Sequence, residues 1–312
     1  MDFRQLGRSG LTVSVVGLGC NNFGRRLSLE HSRPVVDTAL EEGINLFDTA
    51  DTYGRGDSEA QLGEILKGRR EQAVLATKFG MDFGKPEWGA RGSRRYIRLA
   101  VEGSLRRLQT DYIDLYQMHV PDTKTPLEET LAALHELVVE GKVRYVGSSN
   151  FPGWQVADGE WTARTHGYTR FISAQNEYSL LKPAVERHLT PACLQYGIGI
   201  LPFFPLASGL LTGKYRRGQP APEGTRIAAM PAVLQSADFD KIEALEKFAA
   251  ERGVSLLDVA IGGLASRPAV SSVIAGATAP EQVRANVQAG SWVPSEDDRE
   301  ALDKILGART HP

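Results

Sequence analysis

Cysteine is nearly missing: the 312 residues hold only Cys20 and Cys193. Two thiols so far apart make neither a disulfide framework nor a cysteine-rich zinc module. Neither sign of charge is in excess, with 36 basic against 38 acidic residues and a net charge of −2. No strong field therefore draws the chain to nucleic acid or to an anionic membrane. No apolar run approaches ~18 residues, the length a membrane-spanning helix needs. The opening Met1-Asp2-Phe3-Arg4 lacks the charged-then-apolar layout of a secretory leader. These absences leave a cytoplasmic α/β protein as the expectation, long enough to bury a large core without staples.

What is present is a rhythm. Short, mostly continuous apolar runs, the mark of strands covered on both faces, fall at Val13–Leu18, Ile44–Phe47, Ala73–Thr77 and Ile113–Met118. Four more follow at Val143–Val146, Phe171–Ala174, Gly199–Phe203 and Ser272–Ala275. Amphipathic segments lie between them. Ser93–Leu108 carries Ile97, Ala100, Val101, Leu105 and Leu108 at helical spacing. Thr125-Pro126-Leu127-Glu128-Glu129 reads as a helix start with Thr125 as cap, and Leu127, Leu131, Leu134 and Leu137 share a face before Gly141 stops it. Phe239–Ala250 and Pro280–Ala289 are two further helices. Most strand ends recur at roughly 30 residues, about one strand–helix–strand unit. Eight such beats predict a single-domain (β/α)8 TIM barrel over residues 1–312. A β-hairpin of Phe3–Leu6 and Leu11–Ser14 precedes it, and a long Gly/Pro-rich loop after the seventh strand fills the gap from Phe203 to Gly276.

A barrel of this kind carries its site at the carboxyl ends of its strands. The polar residues there include Asn21, Asp48, Tyr53, Lys78, His119, Ser149, Asn150, Gln175 and Glu177. Lys78 ends an apolar strand, so its ammonium needs a carboxylate, and Asp48 ends the neighbouring strand. A nearby ammonium favours the phenolate of Tyr53, which makes the phenol a better acid. Asp48, His119 and Glu177 offer a different reading, as ligands in a metal-dependent hydrolase or isomerase. No His-x-His follows the first strand and no histidine pair has metal spacing, so no metal is expected. Gly17-Leu18-Gly19-Cys20-Asn21-Asn22 looks like a dinucleotide fingerprint but lacks the third glycine that a Rossmann turn requires.

Five ordered motifs resemble the aldo-keto reductases. They are Asp48-Thr49-Ala50-Asp51-Thr52-Tyr53-Gly54, Ala76-Thr77-Lys78-Phe79-Gly80, Asp114-Leu115-Tyr116-Gln117-Met118-His119, Gly141 through Phe151, and Gly209-Leu210-Leu211-Thr212-Gly213-Lys214-Tyr215. The resemblance runs from about Phe3 to Asn286, and the branch is similar to bacterial reductases related to potassium-channel β-subunits. It implies reduction of small aldehydes or ketones by hydride transfer from NADPH. Tyr53 is the implied proton donor, Lys78 tunes it, Asp48 pairs with Lys78, and His119 orients the carbonyl and can share in proton delivery.

The resemblance also implies where the cofactor lies. Ser149, Asn150 and Gln175 take the carboxamide, and Phe203 stacks on the nicotinamide, with Gly19, Asn21 and Asp48 beside it. Pro205, Leu206, Ala207, Ser208 and Gly209 wrap the pyrophosphate, with Lys214 beyond. Gly276, Thr278, Gln282 and Asn286 lie on the adenine side. Many relatives carry a cation there for the 2′-phosphate, whereas here Gly276-Ala277-Thr278 and Gln282 are neutral and Arg284 is expected to face solvent. Channel-type relatives supply an arginine from the long loop, the position of Arg226. NADPH is thus expected to be preferred, with NADH usable. Phe204 stands where relatives often have serine. Phe23, Trp88, Phe204 and Trp292 are candidates for the substrate wall. A slow NADPH-binding redox sensor would keep much of the same motif set. All four catalytic residue types and the short lead-in to the barrel favour an enzyme.

Overall fold

The computed structural model describes residues 1–82, 86–225 and 227–307. Two short strands, β1 (Phe3–Gln5) and β2 (Thr12–Ser14), pair antiparallel as the expected hairpin. Eight parallel strands then follow in spatial order: β10 (Val273–Gly276), β3 (Val16–Gly19), β4 (Leu46–Asp48), β5 (Val74–Phe79), β6 (Ile113–Met118), β7 (Val143–Ser149), β8 (Phe171–Glu177) and β9 (Gly199–Phe203). The seam between β9 and β10 is closed by a bridge of Ile200 to Val270, with Ile200 N donating to Ala269 O at 2.7 Å. The result is the (β/α)8 barrel that the strand rhythm predicts.

Two expectations shift locally. The run Val13–Leu18 is not one strand: it divides at Val15 between the hairpin and the barrel, where Ser14 Oγ donates to Val16 O at 2.7 Å. A hydroxyl bonded to its own backbone competes with the ladder at that point. The helix expected at Thr125 begins at Leu127, with Pro126 as its cap residue. Thr125 Oγ1 donates instead to Asp122 Oδ2 at 2.7 Å, so it stabilises the turn before the helix.

The helices pack outside the barrel. They include α1 (Leu29–Glu41), α2 (Asp57–Ile65), α3 (Arg94–Leu108), α4 (Leu127–Val139), α5 (Gly153–His166), α6 (Leu189–Tyr196) and the short α7 (Pro231–Gln235). After these come α8 (Phe239–Glu251), α9 (Leu256–Ala265), α10 (Pro280–Gly290) and α11 (Glu296–Leu306). Ser93 caps α3 by accepting from Tyr96 N, and Leu131, Leu134 and Leu137 of α4 are fully buried. No helix among the described residues is long and apolar enough to cross a membrane.

Inside the barrel, Leu46, Ala76, Leu115, Leu201 and Ile274 from five strands pack with Leu6 and Val13 of the hairpin. The hairpin thereby plugs the amino-terminal end. Gly7 sits so close to the barrel floor that a Cβ would lie 2.4 Å from Gly197 O. At the opposite end the long loop after β9 is anchored rather than loose. Its Leu211 and Ile227 are fully buried with Leu245 and Val259 of α8 and α9. Burying such side chains is worth about 1.5–3 kcal/mol each, enough to hold a loop of this length over the barrel mouth.

Candidate active site

The parallel register brings the ends of β4 and β5 together, and the apolar strand of Lys78 leaves its side chain fully buried. The ammonium makes three contacts. Lys78 Nζ donates to Asp48 Oδ2 at 2.7 Å, to Thr49 O at 2.8 Å and to Tyr53 Oη at 3.3 Å. Asp48 is itself 2% exposed, and its second oxygen, Oδ1, accepts from Gln175 Nε2 at 2.8 Å. A buried ion pair persists only if its remaining valences are satisfied, and here every ammonium proton and both carboxylate oxygens are engaged.

Tyr53 reaches this cluster from the turn after β4, where Gly54, Arg55 and Gly56 all take positive φ. Its ring stands edge-on to His119, with centroids 5.9 Å apart. Because Lys78 donates to the phenol oxygen, the phenol's own hydrogen is left for the cavity. The expected lowering of the Tyr53 pKa is corrected here. Burial pushes it above the ordinary value of 10.0, and the Lys78 ammonium offsets only part of that rise. For Lys78, burial alone would pull the pKa down, but the Asp48 carboxylate and the Tyr53 oxygen outweigh it and the net direction is up. The ammonium stays charged.

His119 moves the other way. Burial, reinforced by the Lys78 charge, lowers it from 6.5 to about 3. The imidazole is therefore neutral, and it lacks the second proton that a shared delivery role would draw on. Its Nδ1 is buried without a hydrogen-bond partner, while the residue lines the cavity. An orphaned acceptor costs less than an orphaned N–H, so the network assigns the proton to Nε2. The His119 carbonyl accepts from Asn150 Nδ2 at 2.9 Å. Behind the cluster, Glu59 accepts from Thr77 Oγ1 at 2.6 Å and from Arg107 Nε at 2.7 Å, tying α2 and α3 to β5. Burial and the neighbouring Glu59 raise Asp51 to about 8.

These residues open into a cavity of about 1210 Å³ at the carboxyl ends of the strands. Gly19, Asn21, Asp48, Tyr53, His119, Ser149, Asn150, Gln175 and Phe203 line its inner part. Phe204, Pro205, Leu206, Ser208, Gly209 and Lys214 form one wall, and Gly276, Thr278, Gln282 and Asn286 the far end. Lys78 lies beneath the floor, and Ala207 is buried behind the wall. Phe204, Ala207, Ser208 and Gly209 all have positive φ, which folds this wall tightly onto the opening. Thr278 N and Oγ1 both donate to Gln282 Oε1, at 2.8 and 3.2 Å, and fix the start of α10.

Several expected residues lie elsewhere. Phe23 is fully buried in the main core and does not line the cavity. Trp88 packs on Tyr96 with centroids 6.2 Å apart, and Trp292 packs edge-on to Phe248 at 6.3 Å, both outside the cavity lining. Each ring gains more by covering core surface than by facing the opening. Of the four proposed wall aromatics only Phe204 lines the cavity, edge-on to Phe203 at 5.2 Å. Arg284 turns away to Glu42, 3.4 Å distant, and Arg226 falls outside the described residues. Glu177 pairs with Lys182 at 2.7 Å, so it joins neither Asp48 nor His119. Among the described residues, no three His, Cys, Asp or Glu side chains gather into a metal-holding group. The cavity also has liners the spacing did not single out, notably Cys20, Arg25, Arg26 and Arg55.

Residues 15–307 match the Aldo/keto reductase family. The chain is 37% identical over 301 residues to an uncharacterized oxidoreductase of Bacillus subtilis, covering 93% of this chain and 91% of the relative. It is 34% identical to a probable voltage-gated potassium channel subunit beta of Oryza sativa, covering 98% and 95%. It is also 34% identical to the L-glyceraldehyde 3-phosphate reductase of Escherichia coli, covering 93% and 87%. A barrel with this buried cluster at its mouth, matched over nearly its full length, belongs to the aldo/keto reductase family of oxidoreductases.

Proposed function

We propose that this protein is an NADP(H)-dependent cytoplasmic enzyme of one barrel domain that reduces aldehydes and ketones to alcohols, with Tyr53 as general acid. The observation that carries the reading is the Lys78 ammonium, held 3.3 Å from Tyr53 Oη at the floor of a large cavity. The names of two relatives, the Escherichia coli reductase above and a versiconal hemiacetal acetate reductase of Aspergillus parasiticus 35% identical to this chain, support a carbonyl substrate.

The residues present fit a dinucleotide. The cavity is large and is lined by polar residues beside Tyr53, by a tight left-handed turn, by an exposed lysine and by the start of α10. Ser149, Asn150 and Gln175 would hold the carboxamide and Phe203 the nicotinamide ring. The turn through Ser208 and Gly209, with Lys214, would take the pyrophosphate, and Thr278, Gln282 and Asn286 the adenosine. When bound, NADPH supplies the hydride that adds to the carbonyl carbon.

This chain's residues do the remainder. Tyr53 gives its proton to the carbonyl oxygen as negative charge grows there. The Lys78 ammonium stabilises the phenolate left behind, and Asp48 and Thr49 O keep that ammonium in place. Neutral His119 donates its Nε2 hydrogen to the same carbonyl oxygen and orients it. The missing cation at Gly276–Thr278 keeps NADH usable, while Arg226 favours NADPH; the pyrophosphate assigned to Lys214 is common to both cofactors. The test is multiple-turnover NADPH consumption across an aldehyde and ketone panel. A protein that binds NADPH yet turns over no carbonyl would reject the enzymatic reading.

A further inference from the structure

Two loops meet at the rim of the cavity beside Tyr53. The first, Asn21–Leu27, is a compact turn in which Asn22 O accepts from the backbone of Arg25, Arg26 and Leu27 at 3.3, 2.8 and 3.0 Å. The second is the left-handed run Gly54-Arg55-Gly56 before α2. They touch through glycines. A Cβ on Gly24 would lie 2.2 Å from Asp57 Cβ, and one on Gly54 would lie 3.0 Å from Phe23 O. Ser58 Oγ, donating to Cys20 O at 2.8 Å, locks the two loops further.

This contact sets Arg25, Arg26 and Arg55 on one rim, and all three line the cavity. Among the described residues none of them has a carboxylate partner, although most other arginines of the chain do. Asp57 also lines the cavity beside them, and it sits in the first turn of α2, where the helix dipole already favours it. Arg55 adds a second, independent sign. It holds φ 59°, a left-handed conformation that glycine or asparagine adopts far more readily. A strained backbone that presents a cation to the opening is a feature tied to function rather than to folding.

We propose that these arginines select carbonyl substrates bearing an anionic group, phosphate or carboxylate, at the end remote from the reacting carbon. The proposal rests on the reductase reading and names its substrate class. With the carbonyl at Tyr53 and His119, the rest of a short substrate extends along the rim, where guanidinium groups bind oxyanions bidentately. A charge-assisted hydrogen bond changes affinity by roughly tenfold or more.

The test compares kcat/KM for aldehydes of equal chain length carrying a phosphate, a carboxylate or a neutral hydroxyl. The parent should favour at least one anionic member by about tenfold or more, with the preference shrinking as salt rises. Arg25→Gln/Arg26→Gln/Arg55→Gln should erase that ratio without weakening NADPH binding. Equal kcat/KM for charged and neutral members in the parent would overturn the rim while leaving the reductase reading intact. A loss of NADPH affinity with an unchanged ratio would also overturn it, since the arginines would then serve the cofactor. If no aldehyde is reduced, calorimetry with the phosphorylated alcohol and NADP+ decides separately. Binding by the parent and a tenfold loss in the triple variant support the rim, and no binding by the parent rejects it. Arg55→Asn alone relieves the backbone while removing the charge. It should lower the ratio while leaving the protein at least as stable as the parent, whereas an unchanged ratio would exclude Arg55 from the rim.

Discussion

Gln175 donates to the same carboxylate that holds Lys78: its Nε2 lies 2.8 Å from Asp48 Oδ1. Gln175 lies in the carboxyl-terminal half of β8 and Asp48 ends β4, strands on opposite sides of the barrel. The bond crosses the floor of the cavity and joins a group proposed to hold the cofactor to the cluster proposed to move the proton. Neither half can shift without disturbing the other.

Tyr53→Phe removes one hydroxyl and keeps the ring that meets His119 edge-on. Carbonyl reduction should fall by about 10²–10⁴-fold, the usual worth of general-acid help. NADPH affinity, read by fluorescence titration, should hold. Near-parental turnover would remove Tyr53 from its assigned role.

Lys78→Met leaves Asp48 buried with only Gln175 as partner. Breaking a buried pair in this way costs about 3–5 kcal/mol, less where water enters from the cavity. Adding Asp48→Asn should restore most of the lost stability and none of the lost turnover. Denaturant midpoints for the parent, the single and the double variant measure this. A single variant as stable as the parent would mean the pair is not what the distances imply.

The pH dependence of kcat/KM follows from two opposed shifts. His119 is lowered to about 3, so it does not titrate in the working range, and Tyr53 is raised above 10.0. A general acid works while protonated. Reduction should therefore stay level from about pH 6 to 9 and decline only as the phenol ionises at higher pH. A limb near pH 6.5 that disappears in His119→Gln would contradict the neutral imidazole.

Cofactor choice should rest on few cations. Lys214 is assigned to the pyrophosphate, which both cofactors carry, and Arg284 is taken up by Glu42. NADPH should bind roughly 10–100-fold more tightly than NADH, the worth of one or two charge-assisted hydrogen bonds. Arg226→Ala should narrow that gap by weakening NADPH. Dissociation constants for both cofactors decide it, and a parent that prefers NADH would reverse the assignment.

The barrel was legible because its strands are short apolar runs at regular intervals, and the polar residue ending each run marks the mouth. Asp48, Lys78 and His119 could be found by that rule alone. Depth was not legible. Spacing places an ammonium near Tyr53 but not the burial that outweighs it, so the direction of the phenol's shift was missed. Side-chain facing in loops was equally hidden. Nothing in the order Asn21-Asn22-Phe23-Gly24 says that Phe23 turns into the core while its neighbours face the cavity. Nor does the sequence say that Arg25 and Arg55 share a rim, which the contact between Gly24 and Asp57 brings about.

The hairpin plug gives the molecule a closed base and an open top. Met1 lies at the closed base, where a Cβ on Gly43 would come within 3.1 Å of its side chain. A tether fixed to the amino terminus would therefore present the opening outward. The protein could be arrayed on a bead or electrode through that end with its entrance facing the solution.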